Sequence, residues 1–195
     1  GRTMPALPLK DAGKIVCANA CRIDWEQVCP KQPEDEIYIL GNPPYLGFSL
    51  QNTVQKFDLQ LIIGKTTKLD YISCWFIKAS QYINLTKIKV ALVSTNSICQ
   101  GEQVELLWSI LSNYSIEIFF CHTSFKWENS ARLNAGVSCV IVGLSTKSKT
   151  LKQIYTNNVY KFTEESVTDP DHDPLVFVPN LETLPEGMVF NPKGE

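Results

Sequence analysis

Histidine is scarce in this 195-residue chain: there are two, His122 and His172, far apart in sequence. That scarcity removes most metal chemistry. Cys17 and Cys21 have a Cys-x3-Cys spacing with Cys29 downstream, yet no fourth ligand stands near enough to close a zinc site. No apolar run approaches the length needed to cross a bilayer, and no signal peptide is evident, so no membrane partner is expected. Internal repeats and low-complexity tracts are missing too. So is a strong net charge: the formal value of -2 rules out a global polycation.

What is present suits a globular chain. An apolar fraction of 44% is enough for a core, and the length fits one domain or a large piece of one. The charge is uneven. Residues 161–195 hold Lys161 and Lys193 against eight acids, which leaves the first 160 residues at about +4. A nucleic-acid partner is compatible with that balance, and so is a plain solvated face. The seven cysteines are odd in number and mostly lie in apolar runs such as "IVCANAC", "FFCH" and "VSCVIV". Free, buried thiols in a reducing cytoplasm account for them.

Strand and helix patterns alternate. Lys14–Ala20 reads as a short buried strand, and Glu36–Asn42 as a second one bounded by "KQPEDE" and by prolines. Neither has clean alternation, as expected of parallel strands covered on both faces. Leu69–Asn84 has apolar residues at three- and four-residue steps and reads as a helix. Ile88–Thr95 is a strand, Gly101–Ser112 a helix, and Ile116–His122 and Gly136–Leu144 two successive strands. The expected class is α/β: a sheet ending in an antiparallel strand pair, with flanking helices. From about Thr146 the chain turns polar and proline-punctuated and reads as a connecting arm outside the sheet.

The segment "YILGNPPYLG" ends an apolar strand on two prolines. Pro43 restricts Asn42, Pro44 restricts Pro43, and neither proline has an N–H. The result is a stiff, extended turn at the end of a sheet strand, where α/β folds bind ligands. It offers the Asn42 side-chain oxygen and the Pro43 carbonyl as fixed acceptors, with the Tyr45 ring beside them. Two acceptors and a ring suit a planar group bearing an NH2, such as an adenine edge. An aromatic amine is a poor nucleophile because its lone pair is delocalised. Out-of-plane acceptors on both N–H bonds favour a pyramidal nitrogen that can attack a methyl sulfonium in line. Stacking on Tyr45 would add about 1–3 kcal/mol. The plain alternative is that Gly-Asn-Pro-Pro merely ends a strand.

"ILGNPPY" resembles the catalytic motif of amino-group methyltransferases that use S-adenosylmethionine. "IVCANACRIDW", "LDYISCWFIKA", "VALVSTNSICQGEQV" and "HTSFKWENSARLNAGVSCVIVGL" extend the likeness over roughly residues 8–145. In order and spacing they resemble the gamma-class adenine-N6 DNA methyltransferases of the large single-chain restriction–modification enzymes. The resemblance implies a partial Rossmann-like methyltransferase sheet, its C-terminal half, over residues 1–145. Residues 146–195 would then lead toward a target-recognition region. It also implies roles for individual residues. Asn42, Pro43 and Tyr45 would be catalytic, with Pro44 as scaffold. Phe125, or less fittingly Trp127, would pack on an adenine extruded from double-stranded DNA. Asn19 would contact the cofactor's adenine, although many relatives have aspartate there. Leu69, Asp70 and Tyr71 would border the cofactor pocket, and for Leu69 and Tyr71 a core role explains the residue equally well. Lys126 and Arg132 could touch phosphate or serve as ordinary surface cations.

The family's glycine-rich cofactor loop and the acid that grips the cofactor ribose are not found in this sequence. The chain is therefore expected to be the catalytic half of a methyltransferase domain. It should neither methylate DNA nor bind the cofactor tightly alone, and could self-associate through an exposed sheet edge. Two other readings stay open. One is a glutamine-N5 protein methyltransferase, since a side-chain amide also presents an NH2. The other is an inactive remnant that binds DNA.

Overall fold

A computed structural model describes residues 14–127, 137–155 and 159–161, with backbone alone at 126, 127, 137 and 159–161. Its centre is a six-stranded mixed sheet in the order β1-β2-β4-β3-β5-β6. The strands are β1 (Tyr38–Gly41), β2 (Lys89–Thr95), β3 (Ile116–Trp127), β4 (Val137–Thr146), β5 (Gln153–Tyr155) and β6 (Val159–Lys161). β1 and β2 run parallel, as do β3 and β5, while β4 lies antiparallel to both β2 and β3. The helices are α1 (Trp25–Val28), α2 (Thr53–Ile63), α3 (Ser73–Ile83) and α4 (Gly101–Leu111).

α3 is the hub. Its Phe76, Ile77, Ala79 and Ile83 are fully buried, together with Leu107, Trp108 and Leu111 of α4. The Phe76 and Trp108 rings meet edge to face with centroids 6.4 Å apart. Val90 and Leu92 of β2 and Val142 and Leu144 of β4 complete the core from the sheet side. α2 was not anticipated by periodicity, because Val54, Phe57 and Leu61 are exposed while Asp58 and Leu59 are buried. Its local signals are clear: Asn52 and Gln55 form a capping box, and Gly64 ends the helix at φ 79.

Three expectations need correction. Lys14–Ala20 is not a strand. Ile15 is 95% exposed, and no described strand lies beside it to pair with. The Glu36–Asn42 strand, β1, is not covered on both faces: exposed residues alternate with half-buried ones, because among the described residues β1 is an edge strand. The chain after Thr146 does not leave the sheet at once. The Glu117 carboxylate, 2% exposed as a residue, accepts from the Ser148 amide and hydroxyl at 3.0 Å each and pairs with Lys152 Nζ at 3.0 Å. That anchor steers β5 alongside β3, where Ile154 is buried.

β3 is also longer than its apolar run, and irregular. From Ile118 to Phe120 it advances two residues while β4 advances one, from Leu144 to Gly143. From His122 to Phe125 it advances three while β4 advances two, from Ile141 to Cys139. Each is a β-bulge, which bends the strand and re-aims the side chains beyond it. No described helix is long and apolar enough to cross a membrane.

Candidate active site

The parallel strands β1 and β2 run in the same direction, and the residues singled out in the sequence collect where they end. Gly41 is the last paired residue of β1, opposite Leu92. The turn that follows splits by burial: Asn42 and Pro44 are exposed, Pro43 is buried, and Tyr45 is half-buried against the core. Pro43 thus pins the turn while Asn42 faces outward. Among the described residues nothing hydrogen-bonds to the Asn42 side chain or the Pro43 carbonyl. An inward-facing Asn42 would have left nothing to grip a ligand.

Tyr45 connects this turn to the far strands. Its hydroxyl lies 3.9 Å from Cys139 Sγ, a weak polar contact. Burial and that thiol both push the phenol above its ordinary range, so it stays protonated. Cys139 stands opposite Thr95 on one side and opposite Phe125 on the other. Neighbouring strands are about 4.8 Å apart, so the Asn-Pro-Pro-Tyr turn and Phe125 belong to one end of the sheet. Phe125 is half-buried just past the second bulge, its ring edge-on to His122 at 5.3 Å. Lys126 and Trp127 follow it in β3 with backbone alone described, and Arg132 lies outside the described residues.

The Leu69–Tyr71 segment abuts the same turn. Tyr71 N donates to the Leu46 carbonyl at 2.9 Å. Asp70 is half-buried; its carboxylate accepts from Ser97 Oγ at 2.7 Å, and its amide donates to Gln103 Oε1 at 2.9 Å. Ser97 Oγ is in turn 2.7 Å from Thr95 Oγ1 at the end of β2. Leu69 lies fully in the core.

The Tyr71 side chain points away from the turn, into a polar knot. Its hydroxyl donates to Asp58 Oδ2 at 2.8 Å, and Asn19 Nδ2 donates to the same oxygen at 3.0 Å. Arg22 Nε donates to Asp58 Oδ1 at 2.5 Å. Burial alone would raise the Asp58 carboxyl, but the bonds from Arg22, Tyr71 and Asn19 outweigh it and hold the group below the usual carboxylate range. The same burial, with Asp58 close by, pushes the Tyr71 phenol upward. Tyr71 is therefore a strut whose backbone holds the Asn-Pro-Pro-Tyr loop and whose ring reaches the Asn19 segment.

Sequence reasoning missed two side chains that organise this end of the molecule. Gln51 is buried and its Nε2 donates to the Leu46 carbonyl at 3.1 Å and to the Leu69 carbonyl at 2.9 Å, clamping the two loops together. Asp58 is 1% exposed on α2. Gln51 and Asp58 lie six and thirteen residues past Tyr45. No local signal marks either: Gln51 precedes α2, and Asp58 stands in a helix that also carries Gln55, Lys56 and Gln60.

Comparisons with known proteins agree with one another. The family model described as MmeI, DNA-methyltransferase domain, matches residues 1–156. DNA methyltransferase A of Bacillus subtilis (strain 168) is 48% identical over 161 residues, covering 80% of this chain and 18% of that protein. The type IIL restriction-modification enzyme MmeI, solved in complex with DNA, superposes with a TM-score of 0.73 at 38% identity. That match covers 85% of this chain and 23% of MmeI. The chain thus spans about a fifth of the length of these relatives. With most of its residues matched by one family model, and its fold shared with MmeI, the chain belongs to the MmeI DNA-methyltransferase domain family.

Proposed function

We propose that this chain is the catalytic half of a DNA methyltransferase domain that methylates the N6 amine of an adenine turned out of double-stranded DNA. On this reading it works within a longer polypeptide of the restriction–modification type. The observation that carries the reading is the meeting of two features at one sheet end: an outward Asn42 on a proline-stiffened turn, and Tyr45 joined through Cys139 to the strand pair bearing Phe125.

The Asn42 oxygen and the Pro43 carbonyl accept the two N6–H bonds out of the base plane, which localises the nitrogen lone pair. Tyr45 and Phe125 hold the base from two sides, offsetting the few kcal/mol that extrusion costs. S-adenosylmethionine, when bound, supplies an electrophilic methyl on a sulfonium. Asn42 and Pro43 would hold N6 for in-line attack on that methyl, and the proton that N6 loses would pass to solvent. Asn19, exposed beside the Asp58 knot, and Asp70 are the polar residues of this chain that would face the cofactor; Leu69 and Tyr71 back them from the core. A second ring at Phe125 suits a base better than a glutamine amide, and the family's DNA-methyltransferase description favours DNA over a protein substrate.

The test is tritium transfer from labelled S-adenosylmethionine by the longer polypeptide, offered adenine-containing duplex and a glutamine peptide in competition. Label should enter the duplex. Label in the peptide alone would overturn the proposal.

A further inference from the structure

Asn19 is held from two sides by groups of opposite character. Asp58, a carboxylate with 1% of its surface exposed, can only accept, and it faces Nδ2 at 3.0 Å. The backbone N–H of Cys21 can only donate, and it faces Oδ1 at 2.9 Å. The amide therefore has one permitted orientation. One N–H and one oxygen lone pair remain for a ligand at the exposed side of the residue, and their order is fixed. Asp58 is itself fixed, by the Tyr71 hydroxyl on Oδ2 and by Arg22 Nε on Oδ1.

We propose that Asp58 is a positioning residue that locks the Asn19 amide in the donor–acceptor order that reads adenine and rejects hypoxanthine. The inference rests on the reading of Asn19 as a contact to the cofactor's adenine. Adenine offers an amine donor beside a ring-nitrogen acceptor, whereas hypoxanthine offers a carbonyl acceptor beside an N–H donor. An amide that cannot turn over accommodates the first and opposes the second. Replacing the carboxylate by an amide, Asp58→Asn, supplies a donor as well as an acceptor. The Cys21 N–H is then the remaining restraint on the order, so Asn19 turns over more readily than in wild type.

The experiment titrates the chain with S-adenosylhomocysteine and with S-inosylhomocysteine to millimolar concentration, following amide resonances by NMR. Wild type should favour the adenosyl compound by about tenfold or more, the discrimination typical of a paired polar contact. Asp58→Asn removes one of the two restraints, so it should lower the ratio by about threefold or more and give the Asn19 side-chain amide a second set of resonances. A folded Asp58→Asn variant with an unchanged ratio and a single Asn19 signal overturns the lock alone. If Asp58→Asn does not fold, Asp58→Ser, whose hydroxyl likewise both donates and accepts, is read in the same way: a lowered ratio supports the lock and an unchanged one overturns it. If the chain alone binds neither compound, the longer polypeptide is titrated, and binding of neither there overturns the reading of Asn19 and the proposal with it.

Discussion

Asn42 and Asp58 sit sixteen residues apart and show what a single sequence can and cannot yield. Asn42 was legible because its constraint is local: two prolines and a following tyrosine fix the turn whatever the rest of the chain does. Asp58 was not, because its meaning depends on Asn19, Arg22 and Tyr71, which only the tertiary fold brings to it. Its depressed carboxyl makes a prediction about acid. A carboxyl whose folded value lies below its unfolded value, near 3.9, contributes stability that is full above the unfolded value. That contribution is lost as pH falls through the folded value. Denaturant titrations from pH 7 downward should therefore show wild type losing stability more steeply in the acid range than Asp58→Asn. Parallel pH profiles for the two proteins would contradict the assignment.

At the level of elements, α3 and α4 were readable because their apolar residues recur at helical steps, and β2 and β4 because each is a short continuous apolar run. β3 was readable only to His122. Its continuation to Trp127 depends on pairing with β4, and its two bulges leave no mark on the hydrophobic pattern. Lys14–Ala20 failed for the complementary reason: it has a strand's composition without a described strand to pair with. The first bulge carries its own prediction. Phe120 lies opposite Gly143, and a Cβ added at Gly143 would meet the Phe120 ring inside van der Waals contact. Gly143→Ala should cost about 1–3 kcal/mol in chemical denaturation, the usual penalty of overpacking. A variant as stable as wild type would show that the ring moves aside freely.

For the molecule as a whole, the edge strand β1 decides the behaviour. Tyr38 is 58% and Leu40 77% exposed, and β1 pairs with β2 on one side and with no other described strand. An open edge bearing large apolar side chains is a template for another strand. The chain alone should associate as its concentration rises in sedimentation velocity, and Leu40→Lys should shift it toward monomer. A wild-type chain monomeric at every concentration would refute this. The same open edge fits the expectation that the isolated chain transfers no methyl group to DNA, and that transfer belongs to the longer polypeptide. There the claim that the outward Asn42 grips an adenine amine meets its most direct measurement. Duplex DNA is incubated with S-adenosylmethionine and the longer polypeptide, digested to nucleosides and analysed by mass spectrometry. The account predicts N6-methyladenine from the wild-type protein and a loss of about a hundredfold or more with Asn42→Ala. Methylated cytosine as the product, or undiminished N6-methyladenine from Asn42→Ala, would contradict it.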